Sequence, residues 1–339
     1  MERNGRASNH LYAGFGQETF LKASGTGLNI SLTIKKVDST LDKIIAEDLK
    51  ILGEIKKHII KSGGKRIRPL THLIFCDLLG YSGNDRFIVA AISELIHAAS
   101  LLHDDVVDGA ETRRGVHTVG KLYGNKTAIL AGDFLLACGI ESLNRLDKPE
   151  LMQSFTQVIR DLSVSELIQM QWEKNPKITE DIYEQIIYGK TASLFGAVTE
   201  SAALLANLDK KEVEQFKEFG IRMGIVFQKR DDLLDYFANS KTSGKEYLKD
   251  FNNKLYTYPI LVLRDQMPKK SQSLIQTWIE KNLSKEILQA MREFHIQETI
   301  QSELNEEIHD LIEFLSRFPD SKSKRILEEQ LGKLRDNLY

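Results

Sequence analysis

From Leu41 onward, apolar residues recur at three- and four-residue steps. Leu41, Ile44, Ile45 and Leu49 lead into Leu52, Ile55 and Ile59. That is the helical period, and it predicts a helix that Gly63-Gly64 ends. Pro69 then opens another, in a first-turn position that tolerates a missing N–H, and apolar Leu70 to Leu79 runs up to Gly80. Phe87 to Asp108 carries Ala, Ile and Leu at nearly every non-polar position and reads as a helix buried all round. Gly109 to Gly124 reads as a loop. Further helices are expected over Thr127–Leu146, Leu151–Trp172, Ile182–Leu205 and Lys210–Ala238, punctuated by Pro149 and Pro176. Lys241 to Pro259 is a polar connection, after which helices alternate with breaks at Pro268 and Pro319.

With only six prolines in 339 residues and no linker rich enough to divide the chain, the pattern predicts one all-α domain over residues 41–339. Residues 1–40 stand apart. They are rich in Gly, Ser, Asn and Thr without a sustained period, and lack the layout of a secretory signal. They read as a loosely ordered extension, in which Leu28 to Lys35 is expected to form a short strand. A net charge of −2 offers no basic field for nucleic acid. Cys76 and Cys138 sit in apolar surroundings without metal-site spacing, which points to a reducing compartment and a cytoplasmic protein. No uninterrupted run of eighteen apolar residues appears, so no membrane span is expected.

Two aspartate clusters then change the picture. Asp104-Asp105-Val106-Val107-Asp108 and Asp231-Asp232-Leu233-Leu234-Asp235 repeat D-D-x-x-D, each inside an apolar helical stretch. Residues four apart share a helix face, so Asp104 stacks over Asp108 and Asp231 over Asp235. Burying such carboxylates is costly unless a cation offsets them. A hard divalent ion such as Mg²⁺, shared between carboxylates and substrate phosphates, meets that need. One cluster alone fits a solvated helix face; the repeat in the same apolar setting does not.

Phosphate-type ligands surround the clusters. Gly63-Gly64-Lys65-Arg66-Ile67-Arg68-Pro69 puts three cations on a glycine-hinged turn before a helix, where anions are favoured and arginine offers a bidentate fork. Arg113-Arg114 follows the first cluster, and His97 precedes Asp104 by seven residues on roughly the same face. Gly189-Lys190-Thr191 interrupts an apolar helix without the glycine-rich turn of a P-loop. Gln228 adds an amide one turn before Asp231 and Asp232. Together these residues describe a diphosphate cleavage site, which would favour C–O heterolysis by stabilising charge on the departing diphosphate.

The motifs G-G-K-R-I-R-P (63–69), E-L-I-H-A-A-S-L-L-H-D-D-V-V-D-G-A-E-T-R-R-G (94–115), G-D-F-L-L-A (132–137), G-K-T (189–191) and F-Q-K-R-D-D-L-L-D-Y (227–236) occur in this order. The chain resembles the trans-isoprenyl diphosphate synthase (polyprenyl synthetase) family from about Leu41 to its end. The resemblance implies antiparallel helices around a deep central cavity. It implies Mg²⁺ ions, three per site with substrate bound, held by Asp104, Asp105, Asp108, Asp231, Asp232 and Asp235. It places Arg113, Lys190, Thr191, Gln228, Lys245 and Lys254 at the allylic diphosphate primer, and Lys65, Arg68, His97 and Arg114 at isopentenyl diphosphate. A homodimer is implied, with at most peripheral membrane contact for product release. One stretch departs. The family continues G-K-x-x-G-x-D-L-x-E-G-K-x-T-x-P, whereas here Leu248 stands at the inner glycine and Leu255 at the lysine, with Lys254 one place early.

Product length is read at Ala99 and Ser100. In the family a bulky aromatic five residues before the first aspartate floors the cavity; Ala99 stands there, about 7.5 Å down the helix axis. The small residue leaves room for a long chain, and Asp104 to Gly115 is similar to long-chain synthases such as octaprenyl diphosphate synthase. The expected product is hexaprenyl to nonaprenyl, octaprenyl favoured. Ala99 equally permits close helix packing, with another side chain closing the tunnel. A short-chain farnesyl or geranylgeranyl synthase and a non-catalytic prenyl-diphosphate-binding partner subunit stay open as alternatives.

Overall fold

The computed structural model describes residues 29–61, 66–113, 115–237 and 248–336. Its first element is a helix, α1 (Ile30–Ile44), capped by Asn29, whose side chain accepts the Leu32 N–H at 3.1 Å. Ile30, Thr33, Val37 and Leu41 form its buried stripe. The expected strand at Leu28–Lys35 is therefore corrected: residues 30–35 are helical. The boundary placed at residue 40 falls inside this helix, which packs on the core. A stripe only one residue wide, among Ser31, Lys35, Lys36 and Asp38, hides the period in the sequence. The single helix expected from Leu41 to Ile59 is two, α1 and α2 (Lys50–Lys61).

The rest follows the periodicity closely. The helices α3 (Ile67–Leu78), α4 (Asp85–Val107), α6 (Asn125–Asn144), α7 (Pro149–Trp172), α8 (Glu180–Ile187), α9 (Ser193–Leu205) and α10 (Lys210–Phe237) build the bundle. The stretch read as a loop contains a two-residue hairpin, β1 (Thr112–Arg113) with β2 (Val116–His117) in antiparallel register, and a short helix, α5 (Val119–Tyr123). Beyond a short α11 (Lys249–Asn252) lie α12 (Tyr258–Gln266), α13 (Ser273–Glu280), α14 (Ser284–Glu293), α15 (Ile296–Ser316) and α16 (Lys322–Asp336).

Helix α4 is central and packs against α1, α3, α6 and α9. Almost every residue from Val89 to Ala99 is buried, as its all-round apolar pattern requires. Among the described residues, the most extensive helix packing is α9 on α10, and α10 continues against α15. By length and composition α4 and α6 would each suffice to cross a bilayer, but α4 is enclosed by protein over most of its length. Helix α6 instead exposes Ile129, Leu130 and Ile140. A small, mostly apolar cleft lies between α3, α10 and α16, lined by Ile67, Thr71, Met223, Phe227 and Leu327 among others.

Candidate active site

The first aspartate cluster ends α4. Asp104 and Asp105 are 5 % and 8 % exposed, whereas Asp108 caps the helix at the solvent-facing rim. Burial pushes the Asp104 carboxyl up to about 7, against the pull of Lys190 and with further push from Glu166 and Asp108. Burial also raises Asp105, although Arg113 on β1 donates from Nε to its Oδ1 at 2.7 Å. The hairpin thus folds Arg113 back over the helix end from which it departs.

Lys190 and Thr191 lie in a π-helical turn, Tyr188–Ala192, between α8 and α9. Such turns are rare and concentrate at functional sites. Two glycines explain how this one is wedged in place. A methyl group on Gly189 would lie 2.5 Å from Ser165 on α7. One on Gly224 of α10 would lie 2.8 Å from the Ala192 Cα. Neither helix could approach so closely with a side chain there. Lys190 is 7 % exposed and its ammonium pairs with Glu166 of α7, within electrostatic reach of Asp104. The π turn packs on α10, which joins the surroundings of the first cluster to the helix of the second.

On α10, Gln228, Asp231 and Asp232 are all buried. Gln228 donates from Nε2 to Asp232 Oδ1 at 2.8 Å, and the backbone N–H of Tyr258 donates to Oδ2 at 3.3 Å. Asp235 accepts the N–H groups of Lys249 and Asp250, each at 3.0 Å, and so caps α11. It anchors the connection as well as facing the cluster. The departure at Leu248 also has an explanation. Its φ is +57°, so the leucine takes the left-handed backbone that favours glycine while burying its side chain. The turn geometry survives the substitution.

Asp250 is a carboxylate that sequence reasoning missed. It is 4 % exposed, and burial together with Asp235, Asp232 and Asp231 drives its carboxyl well above the usual range. Its signal was present, since it occupies the aspartate of the family's G-x-D-L stretch, but only the fold shows it beside the second cluster. Buried Lys229 and Arg230 were likewise passed over.

Lys254 corrects an expectation. Its φ is +61°, its side chain is exposed, and its ammonium donates to the Glu280 carbonyl of α13 at 3.4 Å. One place out of register on a tight turn, it reaches an outer helix. Of the residues expected at isopentenyl diphosphate, Arg68 is 4 % exposed with its guanidinium 4.9 Å from the Phe195 ring, and His97 is buried on α4. Lys65, Arg114 and Lys245 lie outside the described residues. Ala99 is fully buried in a core cluster that mixes Ala98, Ala128 and Ala131 with larger side chains such as Leu95, Leu102 and Leu135. Ser100, directly one turn below Asp104, is partly exposed and donates its hydroxyl to the His97 carbonyl at 2.9 Å.

Among the described residues, no three carboxylate, histidine or cysteine side chains converge tightly enough to cage a metal unaided. The donors are buried carboxylates at an open rim, with Lys190 and Arg113 beside them. This set suits a hard divalent ion that keeps waters and completes its shell with substrate phosphates.

The polyprenyl synthetase family model matches residues 49–294, a span that contains both aspartate clusters and the π turn. The chain belongs to the polyprenyl synthetase family. This prenyltransferase is 31 % identical over 296 residues to the octaprenyl diphosphate synthase of Escherichia coli, covering 86 % of this chain and 91 % of that one. Its fold matches the crystal structure of a decaprenyl diphosphate synthase from Rhodobacter capsulatus with a TM-score of 0.85 and 27 % identity, over 96 % of this chain and all of that one. It also matches a polyprenyl synthase from Caulobacter crescentus, solved with calcium and isoprenyl diphosphate, with a TM-score of 0.82 and 25 % identity, over 95 % and 98 % of the two chains. The all-α architecture read from the periodicity and the isoprenyl diphosphate synthase fold implied by the resemblance are thus the ones observed.

Proposed function

We propose that this polyprenyl diphosphate synthase makes a long chain, hexaprenyl to nonaprenyl with octaprenyl favoured, by adding isopentenyl diphosphate repeatedly to an allylic primer. The observation that carries this reading is the helix face below Asp104. Ser100 lies one turn down and is small and partly exposed, so no bulky side chain of α4 blocks growth there. The octaprenyl synthase among its relatives falls within this range and the decaprenyl synthase one unit beyond it, so both support a long-chain product.

The site residues divide the work. Asp104, Asp105, Asp108, Asp231, Asp232 and Asp235 would hold Mg²⁺, three ions with substrate bound, and Asp250 lies buried behind the second cluster. When bound, the ions neutralise charge developing on the leaving diphosphate. Lys190 and Arg113 are kept in place by Glu166 and Asp105 until the allylic diphosphate offers stronger acceptors. Thr191 and Gln228 add donors to the same region, and Lys245 is assigned there by its motif. Arg68 and His97, with Lys65 and Arg114, would bind isopentenyl diphosphate so that its double bond faces the ionising allylic carbon. Breaking the allylic C–O bond leaves a carbocation; the double bond attacks it, and a proton is lost to the released diphosphate. The synthase is proposed to act as a cytoplasmic homodimer, with a second copy covering the apolar side chains Ile129, Leu130 and Ile140 of α6.

The test is product analysis. Purified chain with Mg²⁺, farnesyl diphosphate and labelled isopentenyl diphosphate should give a ladder ending well beyond geranylgeranyl. A stop at geranylgeranyl would refute the long-chain reading, and no incorporation by the chain alone would favour the partner-subunit alternative.

A further inference from the structure

Lys229 is a buried cation that takes no part in the scheme above. It is 1 % exposed on α10, directly after Gln228 and one turn before Asp232. Its ammonium pairs with Glu303 of α15 and lies 4.7 Å from the Tyr258 ring centroid. The Tyr258 hydroxyl, at the start of α12, donates to the other Glu303 oxygen. Three helices distant in sequence therefore meet at one enclosed charge. A buried ion pair is a poor source of stability, because desolvation offsets most of its attraction. Its value has to be sought in what it holds still.

What it holds is the peptide that touches Asp232. The Tyr258 N–H reaches Asp232 Oδ2, while Gln228 reaches Oδ1. A carboxylate engaged at both oxygens is restrained from turning. One of those donors belongs to α10 itself. The other comes from α12, whose first residue is tied to α10 and α15 through Lys229 and Glu303. Carboxylates that ligate metals are commonly fixed by such outer partners, whose loss typically weakens metal affinity about 10–100-fold.

We propose that Lys229, Glu303 and Tyr258 are positioning residues that set the orientation of the Asp232 carboxylate, and with it the affinity of the second aspartate cluster for its divalent cation. The proposal rests on the metal-binding reading of Asp232.

The test uses the full chain and reads Mn²⁺ binding by electron paramagnetic resonance in the presence of inorganic pyrophosphate. The double variant Lys229→Met/Glu303→Gln removes the ion pair without stranding a charge, and the new amide oxygen can still accept from the Tyr258 hydroxyl. It should bind Mn²⁺ roughly tenfold or more weakly, with KM for isopentenyl diphosphate unchanged. Tyr258→Phe, which keeps the N–H to Asp232 and the ion pair, carries the test if the double variant does not fold, and should weaken binding in the same direction. A folded variant with a shifted Tm and unchanged Mn²⁺ affinity would mean a purely structural role and overturn the proposal. Asp232→Asn separates the two readings. If it weakens Mn²⁺ binding while the other variants do not, only the positioning role fails. If it too leaves binding unchanged, the metal-binding reading fails and the proposal with it.

Discussion

Asp104→Asn should make the metal-free synthase more stable at alkaline pH while destroying its activity. The Asp104 carboxyl is held at about 7 by burial, against an ordinary value of about 3.9. Between these values the folded chain keeps a proton that the unfolded chain has released. Stability therefore falls as pH rises from about 4 to about 7, and the full cost stands above that window. About three pKa units correspond to roughly 4 kcal/mol at the upper bound. Asparagine is nearly the same shape and carries no charge to desolvate. Lys190 and Arg113 retain Glu166 and Asp105 as partners, so neither is stranded. Thermal unfolding in a chelator at pH 8 should show the variant ahead by several degrees, with the advantage shrinking towards pH 5. Adding Mg²⁺ and pyrophosphate should close most of the gap, since a ligand at a hundred times its Kd stabilises the wild type by about 2.7 kcal/mol. A variant no more stable than wild type at pH 8, or equally advantaged at both pH values, would refute the reasoning.

Asp231→Ala should lower turnover by orders of magnitude while circular dichroism stays helical; near-wild-type rates would exclude it as a metal ligand. Lys190→Met should raise KM for the allylic diphosphate about 10–100-fold, the worth of roughly 1.5–3 kcal/mol for a charged hydrogen bond, with KM for isopentenyl diphosphate little changed. Lys254→Ala, by contrast, should leave both constants within about twofold of wild type, because its ammonium serves the outside of the fold. Ser100→Phe should shorten the product ladder. Ala99→Tyr should do so only at a cost of about 1–3 kcal/mol in stability, because Ala99 sits in a packed core; an unchanged ladder in the Ser100 variant would place the tunnel elsewhere.

Helical periodicity and duplicated aspartates are local properties, which is why the sequence alone determined the all-α fold, the helix carrying each cluster and the family. Each depends on residues a few positions apart, where spacing fixes which side chains share a face. Even a break in the motif was readable as a break, at Leu248 and Leu255. What the tertiary structure decided are relations between residues far apart in the chain. Long stretches of sequence separate Asp104 from Lys190 and Glu166, and Lys229 from Glu303, and no period connects them. The same holds for the small differences of direction on which roles depend. Lys254 differs from a phosphate ligand by one place, yet a turn with positive φ sends it to Glu280. Ala99 and Ser100 are neighbours, yet one is fully buried in the core and the other is partly exposed one turn below Asp104. Helix α1 shows the same limit at the other end: its stripe of Ile30, Thr33, Val37 and Leu41 is too narrow to stand out until α4 is there to bury it. Side-chain chemistry is written along the chain, but burial, and hence which charges must be offset and by what, exists only once the helices have packed.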